Sequence, residues 1–357
     1  MGNLDAMAAE VKATAGRIDS WDLLRGVAVG FVLLRHAWPD VFAGAGVTGV
    51  TMFFGLSGFL ITDIIQAEIR KTGKLSYKRF YLNRGFRLLP ALVVILLVYV
   101  FVEIITSRMG DTNPILSFVV GLGYVANVPG IHLGPGLGHL WTLAVEEQFY
   151  LLWPLLLIFA LRKSKVGLVV ASILVASMLL TIIALFVAPT TATVYTLPTS
   201  WVPALIVGAA SRMYLDRVRP IADWRWLQIS ATAILVGFCF VPQAKDLPLT
   251  YLLFGPIIAA SVAILVVAGI SYPQVPRFLA PLKFLGRISY GTYLWNFVIV
   301  CWLRGSVDGE GYALESVLLT LVAAGASWFL IEQPSQKLKR AIIRRGQRDS
   351  NRELSPA

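Results

Sequence analysis

Charge is what this sequence has least of. Only 14% of its 357 residues are Asp, Glu, Lys or Arg and 57% are hydrophobic, whereas an ordinary soluble domain carries about 25% charge. Together with a mean hydropathy of +0.72, this excludes a soluble globular chain and indicates a polytopic membrane protein. Acid is scarcer than base, with 20 carboxylates against 31 lysines and arginines. The excess does not signal nucleic acid, because the basic residues stand in short clusters between apolar runs, where membrane orientation accounts for them. Cysteine occurs twice, at Cys239 and Cys301, in apolar runs and without metal-ligand spacing. Packing is therefore expected for both, and neither a disulfide nor a metal centre. Met1 to Ser20 is polar and mixed in charge and lacks the apolar core and cleavage site of a signal peptide, so the first span is expected to start insertion. There is no internal repeat and no linker of the kind that separates domains.

Long apolar runs are abundant. About ten are placed near 21–40, 46–67, 88–107, 139–161, 166–188, 199–214, 226–242, 250–270, 286–303 and 312–333, judged against a hydrocarbon layer of about 30 Å. The expected fold is an all-α membrane helical bundle of about ten spans. Most of the lysines and arginines fall in the N-terminal tail, the loops at 68–87, 162–165, 212–225 and 271–287, and the C-terminal tail. That asymmetry puts both termini in the cytoplasm. Pro114 to Val128 is apolar but short, and is read as a re-entrant or interfacial piece. The glycine- and proline-rich Pro129 to Gly138 follows as a loop whose backbone has to be screened from lipid. The expected division is a cytoplasmic tail at 1–20, a membrane domain at 21–334 and a basic cytoplasmic tail at 335–357. The last carries an amphipathic stretch suited to anionic lipid.

Against this apolar background the ionisable residues stand out. Trp21 to Pro39 places Asp22, Arg25, Arg35 and His36 in the first span. Arg25 and His36 are eleven residues apart, so they share a helix face about three turns and roughly 16 Å apart, with Asp22 a turn below Arg25. A charge inside a span costs about 2.5–3.5 kcal/mol on insertion scales, which makes such a face a candidate site. A lone membrane histidine is more often a packing residue; with Asp22 and Arg25 on the same face, neutral imidazole with its ordinary pKa of about 6.5 suits a general base or a proton relay. Glu146 and Glu147 lie in the apolar run after His139. Glu146, expected near the depth of His36, is the candidate to orient the imidazole, an interhelical hydrogen bond being the plainer reading. Arg84 and Arg87, at i and i+3, can grip phosphate through planar guanidinium forks. Orientation alone would also require basic residues there. Gly55, Ser57 and Gly58 read as helix-packing residues, and no base adjacent in sequence supports Ser57 as a nucleophile. Tyr290, Tyr293, Trp295 and Asn296 read as core or interface residues.

Taken in order, these stretches resemble acyltransferase family 3, a group of membrane-bound O-acyltransferases. The motifs are Arg17 with Asp22 to Gly26; Arg25 and His36 at the basic-x10-histidine spacing; Ser57 to Ile61; Arg84 to Arg87; His139 to Tyr150; Ile288 to Trp295; and Glu332 to Pro334. The resemblance implies transfer of an acyl group, commonly acetyl, from cytoplasmic acyl-CoA to a hydroxyl of a sugar, polysaccharide or macrolide-like acceptor at the inner membrane. His36 would then be the base, Arg84 and Arg87 the CoA grip, and Arg25 a cavity residue. Glu146 would support the imidazolium. Asp22 completes the charged face. No permanently bound cofactor is implied; acyl-CoA, by preference acetyl-CoA, is the donor substrate. The family often has histidine where this chain has Asn296, so no catalytic role passes to that position. Some relatives carry an esterase domain after the membrane part, and this chain is expected to work without one or to pass its product on. A second reading of the same charged face is a proton-coupled transporter of a lipid-linked sugar, which would move substrate without CoA.

Overall fold

The computed structural model describes residues 18–106, 112–131, 133–304 and 312–342. The N-terminal tail with Lys12 and Arg17, and most of the C-terminal tail, lie outside these residues. Among the described residues the chain is helical, with no strand.

Each apolar run expected to cross the membrane is a helix. In chain order the helices include α1 (Asp19–Ala37), α2 (Ala45–Thr72), α3 (Tyr77–Thr106), the short α4 (Pro114–Leu122), which is not expected to cross, α5 (Trp141–Arg162), α6 (Val166–Val187), α7 (Pro198–Met213), α8 (Arg225–Phe238) and α9 (Gly255–Ser271). The amphipathic α10 (Ala280–Arg287), α11 (Ser289–Arg304) and α12 (Tyr312–Ser327) follow. Past Ser327 the helical run continues through a π-helical turn at Trp328–Glu332 to Ile342.

Among the described residues six helical runs are long and apolar enough to cross by themselves: 45–72, 77–106, 138–162, 166–187, 250–271 and 312–342. The other four expected spans differ for plain reasons. α1 carries Asp19, Asp22, Arg25 and Arg35. α7 and α11 have 16 residues and α8 has 14, and at about 1.5 Å per residue these give roughly 21–24 Å against a hydrocarbon layer of about 30 Å. The chain is a multi-pass membrane protein. α6 displays what lipid contact demands: it is apolar all round, and Val175, Leu179, Ile183 and Phe186 are exposed.

The described chain forms two compact units, one of Met1–Gln66, Asn127–Ile131 and Trp141–Ser289, the other of Ala67–Ala126, His132–Leu140 and Tyr290–Ala357. In the first, close helix crossings run on glycine. A Cβ added at Gly58 would strike the Leu205 carbonyl of α7, and one at Gly208 would strike the Gly55 carbonyl of α2. Gly26 and Gly286 do the same for α1 and α10, against Leu282 and Asp22 carbonyls. With lipid on the outside there is little hydrophobic drive between helices, so this close backbone approach supplies the packing. The small residues of Gly55 to Gly58 thus serve as the sequence suggests.

In the second unit α4 is a nine-residue helix, about 14 Å long and too short to cross. Asn113 caps it, accepting from the N–H groups of Ile115 and Leu116 at 2.9 and 3.2 Å. The following loop is pinned by Gly134 N–H, which donates to Ser117 Oγ at 3.1 Å. Gly136 has φ +91°, and a Cβ there would lie 3.0 Å from the Val298 Cα of α11. This irregular backbone is packed on protein, as a loop near lipid has to be.

Candidate active site

The candidate residues divide between the units. Asp22, Arg25, His36 and Glu146 belong to the first, Arg84 and Arg87 to the second.

In the first unit α1 and α2 run antiparallel. The Trp21 ring meets the Phe59 ring at 5.6 Å, a Cβ on Gly49 would meet Ala28 and Val32, and one on Gly46 would lie 3.0 Å from Arg35 Cγ. His36, half-buried, closes α1 in its last turn, where the helix dipole favours positive charge. The first unit also holds a cluster of aromatic rings: Tyr195 and Trp141 at 4.8 Å, Trp141 and Trp201 at 5.6 Å, Phe54 and Trp201 at 6.0 Å. Burial pushes the Tyr195 phenol up to about 12, and the positive charge of Arg35 acts against that shift.

Glu146 Oε1 accepts hydrogen bonds from Ser57 Oγ and from Tyr150 OH at 2.6 Å. α5 runs parallel to α2, with Trp141 on Phe54 at 6.3 Å and Trp153 Nε1 donating to Thr62 Oγ1 at 2.9 Å. Ser57 precedes Phe59, which packs on Trp21, so the carboxylate stands at the level of Trp21 to Arg25. His36 lies eleven residues past Arg25, roughly 16 Å further along α1. The expectation of a common depth for Glu146 and His36 is therefore corrected. It counted turns from the start of α5 as though the helices began level, whereas the contact of Trp141 with Phe54 starts α5 part-way along α2.

Asp22 is buried, at 2% exposure, and its Oδ2 accepts from Arg287 Nε at 3.4 Å. Asp19 pairs with Lys283 at 2.8 Å and with Arg287 at 3.6 Å. These bonds, with the Gly26 and Gly286 contacts, fasten α10 to the start of α1.

In the second unit Arg84 and Arg87 lie just before Pro90, within α3. Proline has no N–H, so the carbonyl four residues back, that of Phe86, loses its helical donor. Ser335 Oγ and Gln336 Nε2 supply the replacement, at 2.8 and 3.2 Å. Two residues on, the Leu88 carbonyl accepts from Tyr290 OH at 2.9 Å. The arginine-bearing turn is thus held by two other segments through its backbone. Glu332, buried in the π turn, feels the charge of Arg87, and its Oε1 accepts no hydrogen bond among the described residues. π turns recur at functional sites.

Other motif residues pack within the second unit. His139 Nδ1 lies 2.9 Å from the Gly136 carbonyl, with its ring against Tyr293 and Phe297. Asn296, 1% exposed, donates to Thr320 Oγ1 at 3.3 Å. Sequence reasoning gave no role to Tyr150, Arg287, Glu332 or Glu103. Glu103 left a signal as a carboxylate late in an apolar run; it is buried and accepts from Trp302 Nε1 at 3.0 Å. Tyr150 left the i, i+4 spacing from Glu146; the pairing of Arg287 left none.

Comparison with known proteins bears on the family of the chain. A family model described as "Acyltransferase domain" matches residues 18–332. The O-acetyltransferase OatA of Staphylococcus aureus is 28% identical over 345 residues, covering 88% of this chain and 57% of the relative. The peptidoglycan O-acetyltransferase OatA of Listeria monocytogenes is 30% identical over 356 residues, covering 90% of this chain and 56% of the relative. The chain thus spans a little over half the length of these relatives. No solved structure matches it.

Proposed function

The chain belongs to acyltransferase family 3, and from that premise we propose that it is a membrane O-acetyltransferase acting on a sugar hydroxyl of a polysaccharide or peptidoglycan-type acceptor. The observation that carries the reading is the acyltransferase match over residues 18–332. It takes in the charged face of α1 and the backbone-anchored arginine turn of α3.

In this reading the donor is acyl-CoA, by preference acetyl-CoA. His36 takes the proton of the acceptor hydroxyl as its oxygen attacks the thioester carbonyl. The tetrahedral intermediate collapses, the C–S bond breaks, and the imidazolium returns its proton to the leaving thiolate. The products are an acetyl ester and CoA-SH. Arg84 and Arg87 hold CoA phosphates, for which their planar forks are suited. Arg25 and Asp22 shape the charged face of α1. Glu146, at the level of Arg25, acts through Ser57 and Tyr150 and not on the imidazolium. We place the protein in the inner membrane with ten crossings, the charged α1 and the shorter α7, α8 and α11 among them, and both termini cytoplasmic.

The test is release of CoA-SH from acetyl-CoA, coupled to ester formation on a glycan acceptor, by the purified full-length protein. Arg84→Lys/Arg87→Lys preserves charge but removes two-point contacts. Each charge-assisted hydrogen bond lost costs about 1.5–3 kcal/mol before lysine recovers part, so acetyl-CoA affinity should fall roughly tenfold or more. Unchanged affinity refutes the phosphate grip, and glycan movement without CoA-SH release refutes the enzyme in favour of transport.

A further inference from the structure

The geometry points to a binding groove for an anionic phospholipid on the face of α3 opposite Arg84 and Arg87. At about 100° per residue, Lys78, Leu82, Phe86 and Leu89 share one side of the helix, and the two arginines point roughly 150° away. Two cavities open on that side and share Lys78, Leu82 and Phe86. One, of about 220 Å³, brings Lys78 and Arg79 together with Lys339 from the segment after Pro334. The other, of about 550 Å³, is walled by Tyr81, Leu82, Gly85, Phe86, Leu89 and Pro90. Among the described residues no carboxylate lines either cavity.

Polarity changes in one direction along this groove. Three cations stand at the start of α3, and the wall beyond them is apolar as far as Pro90. Lys78 to Pro90 covers about 18 Å of helix, close to the roughly 20–22 Å depth of one leaflet with its headgroups. Gly85 opens the groove: a Cβ there would meet only Leu89 Cδ1, at 3.6 Å. Leu82 and Leu89 remain 50% and 39% exposed. A soluble anion would occupy the cationic end and leave the apolar wall in water. A neutral lipid would cover the wall but bring no anionic group to the three cations, beside which Glu68 Oε1 accepts from Ser76 N–H at 3.2 Å. An anionic phospholipid satisfies both, as basic pockets beside membrane helices do. Lys339 feels the charge of Arg87, but neither Arg84 nor Arg87 lines the cavities, so this inference does not depend on the acyl-transfer reading.

Native mass spectrometry of the full-length protein, titrated separately with phosphatidylglycerol and phosphatidylcholine, tests it. A cation near an anionic headgroup contributes about fivefold, so phosphatidylglycerol should be held roughly tenfold or more tighter than phosphatidylcholine. Lys78→Ala/Arg79→Ala/Lys339→Ala should abolish that preference, and Lys78→Arg/Lys339→Arg should keep it. Gly85→Leu fills the groove while leaving the cations, and should weaken phosphatidylglycerol binding without changing the uptake of inorganic phosphate. Equal retention of both lipids by the wild type overturns the proposal, as does undiminished phosphatidylglycerol binding in Gly85→Leu. Displacement of the lipid by inorganic phosphate or acetyl-CoA at comparable concentration would make this a soluble-anion site and also overturn it.

Discussion

Replacing Ser335 and Gln336 by alanine removes both side-chain donors to the Phe86 carbonyl, at 2.8 and 3.2 Å. That carbonyl has no helical donor because residue 90 is proline. Leaving a half-buried acceptor unsatisfied costs about 1–3 kcal/mol. The double variant should therefore lose about that much stability, and with it the fixed orientation of the Arg84–Arg87 turn. Pro90→Ala supplies the test of cause. Alanine restores an N–H at the position that bonds the Phe86 carbonyl in a regular helix, so in that background the same two substitutions should cost about 1 kcal/mol less or better. The assay is denaturant unfolding of the detergent-solubilised protein in a double-mutant cycle, with acetyl-CoA affinity measured in parallel. Affinity should fall in Ser335→Ala/Gln336→Ala and recover when Pro90→Ala is added. Strict additivity, with no recovery, would refute the argument that the orphaned carbonyl is what the C-terminal segment holds.

His36→Ala should lower acetyl transfer by about 10²–10⁴-fold while leaving acetyl-CoA binding intact, and the wild-type rate should rise with pH as a histidine base loses its proton; near wild-type turnover in purified His36→Ala would end that assignment. Gly286→Ala drives a Cβ into the Asp22 carbonyl, and overpacking of this kind costs about 1–3 kcal/mol. A thermal melt should show it, and an unchanged melt would mean that α1 and α10 are not held by this crossing.

The membrane class and the helices themselves were legible because composition and run length are local properties. Every expected span is a helix, and the glycine pairs at Gly55 and Gly58 do the packing their size suggested. The positions of the site residues were legible in part. His36 and Arg25 share a helix, so their spacing follows from the repeat alone. The depth of Glu146 was misread because it depends on how α5 is set against α2, and that is decided by the contact of Trp141 with Phe54. Asp22 was read as part of a charged face; its pairing with Arg287 joins residues 265 positions apart, which no local pattern encodes.

What the sequence determined by itself is a multi-pass helical chain with charges at fixed intervals along each helix, because hydropathy and the 3.6-residue repeat act within a segment. What only the tertiary structure decided is which of those charges meet. The carbonyl freed by Pro90 could be foreseen from one proline, but the donors that satisfy it come from Ser335 and Gln336. Registers between distant helices are set by small-residue contacts and side-chain fit, and these exist only once the helices have packed.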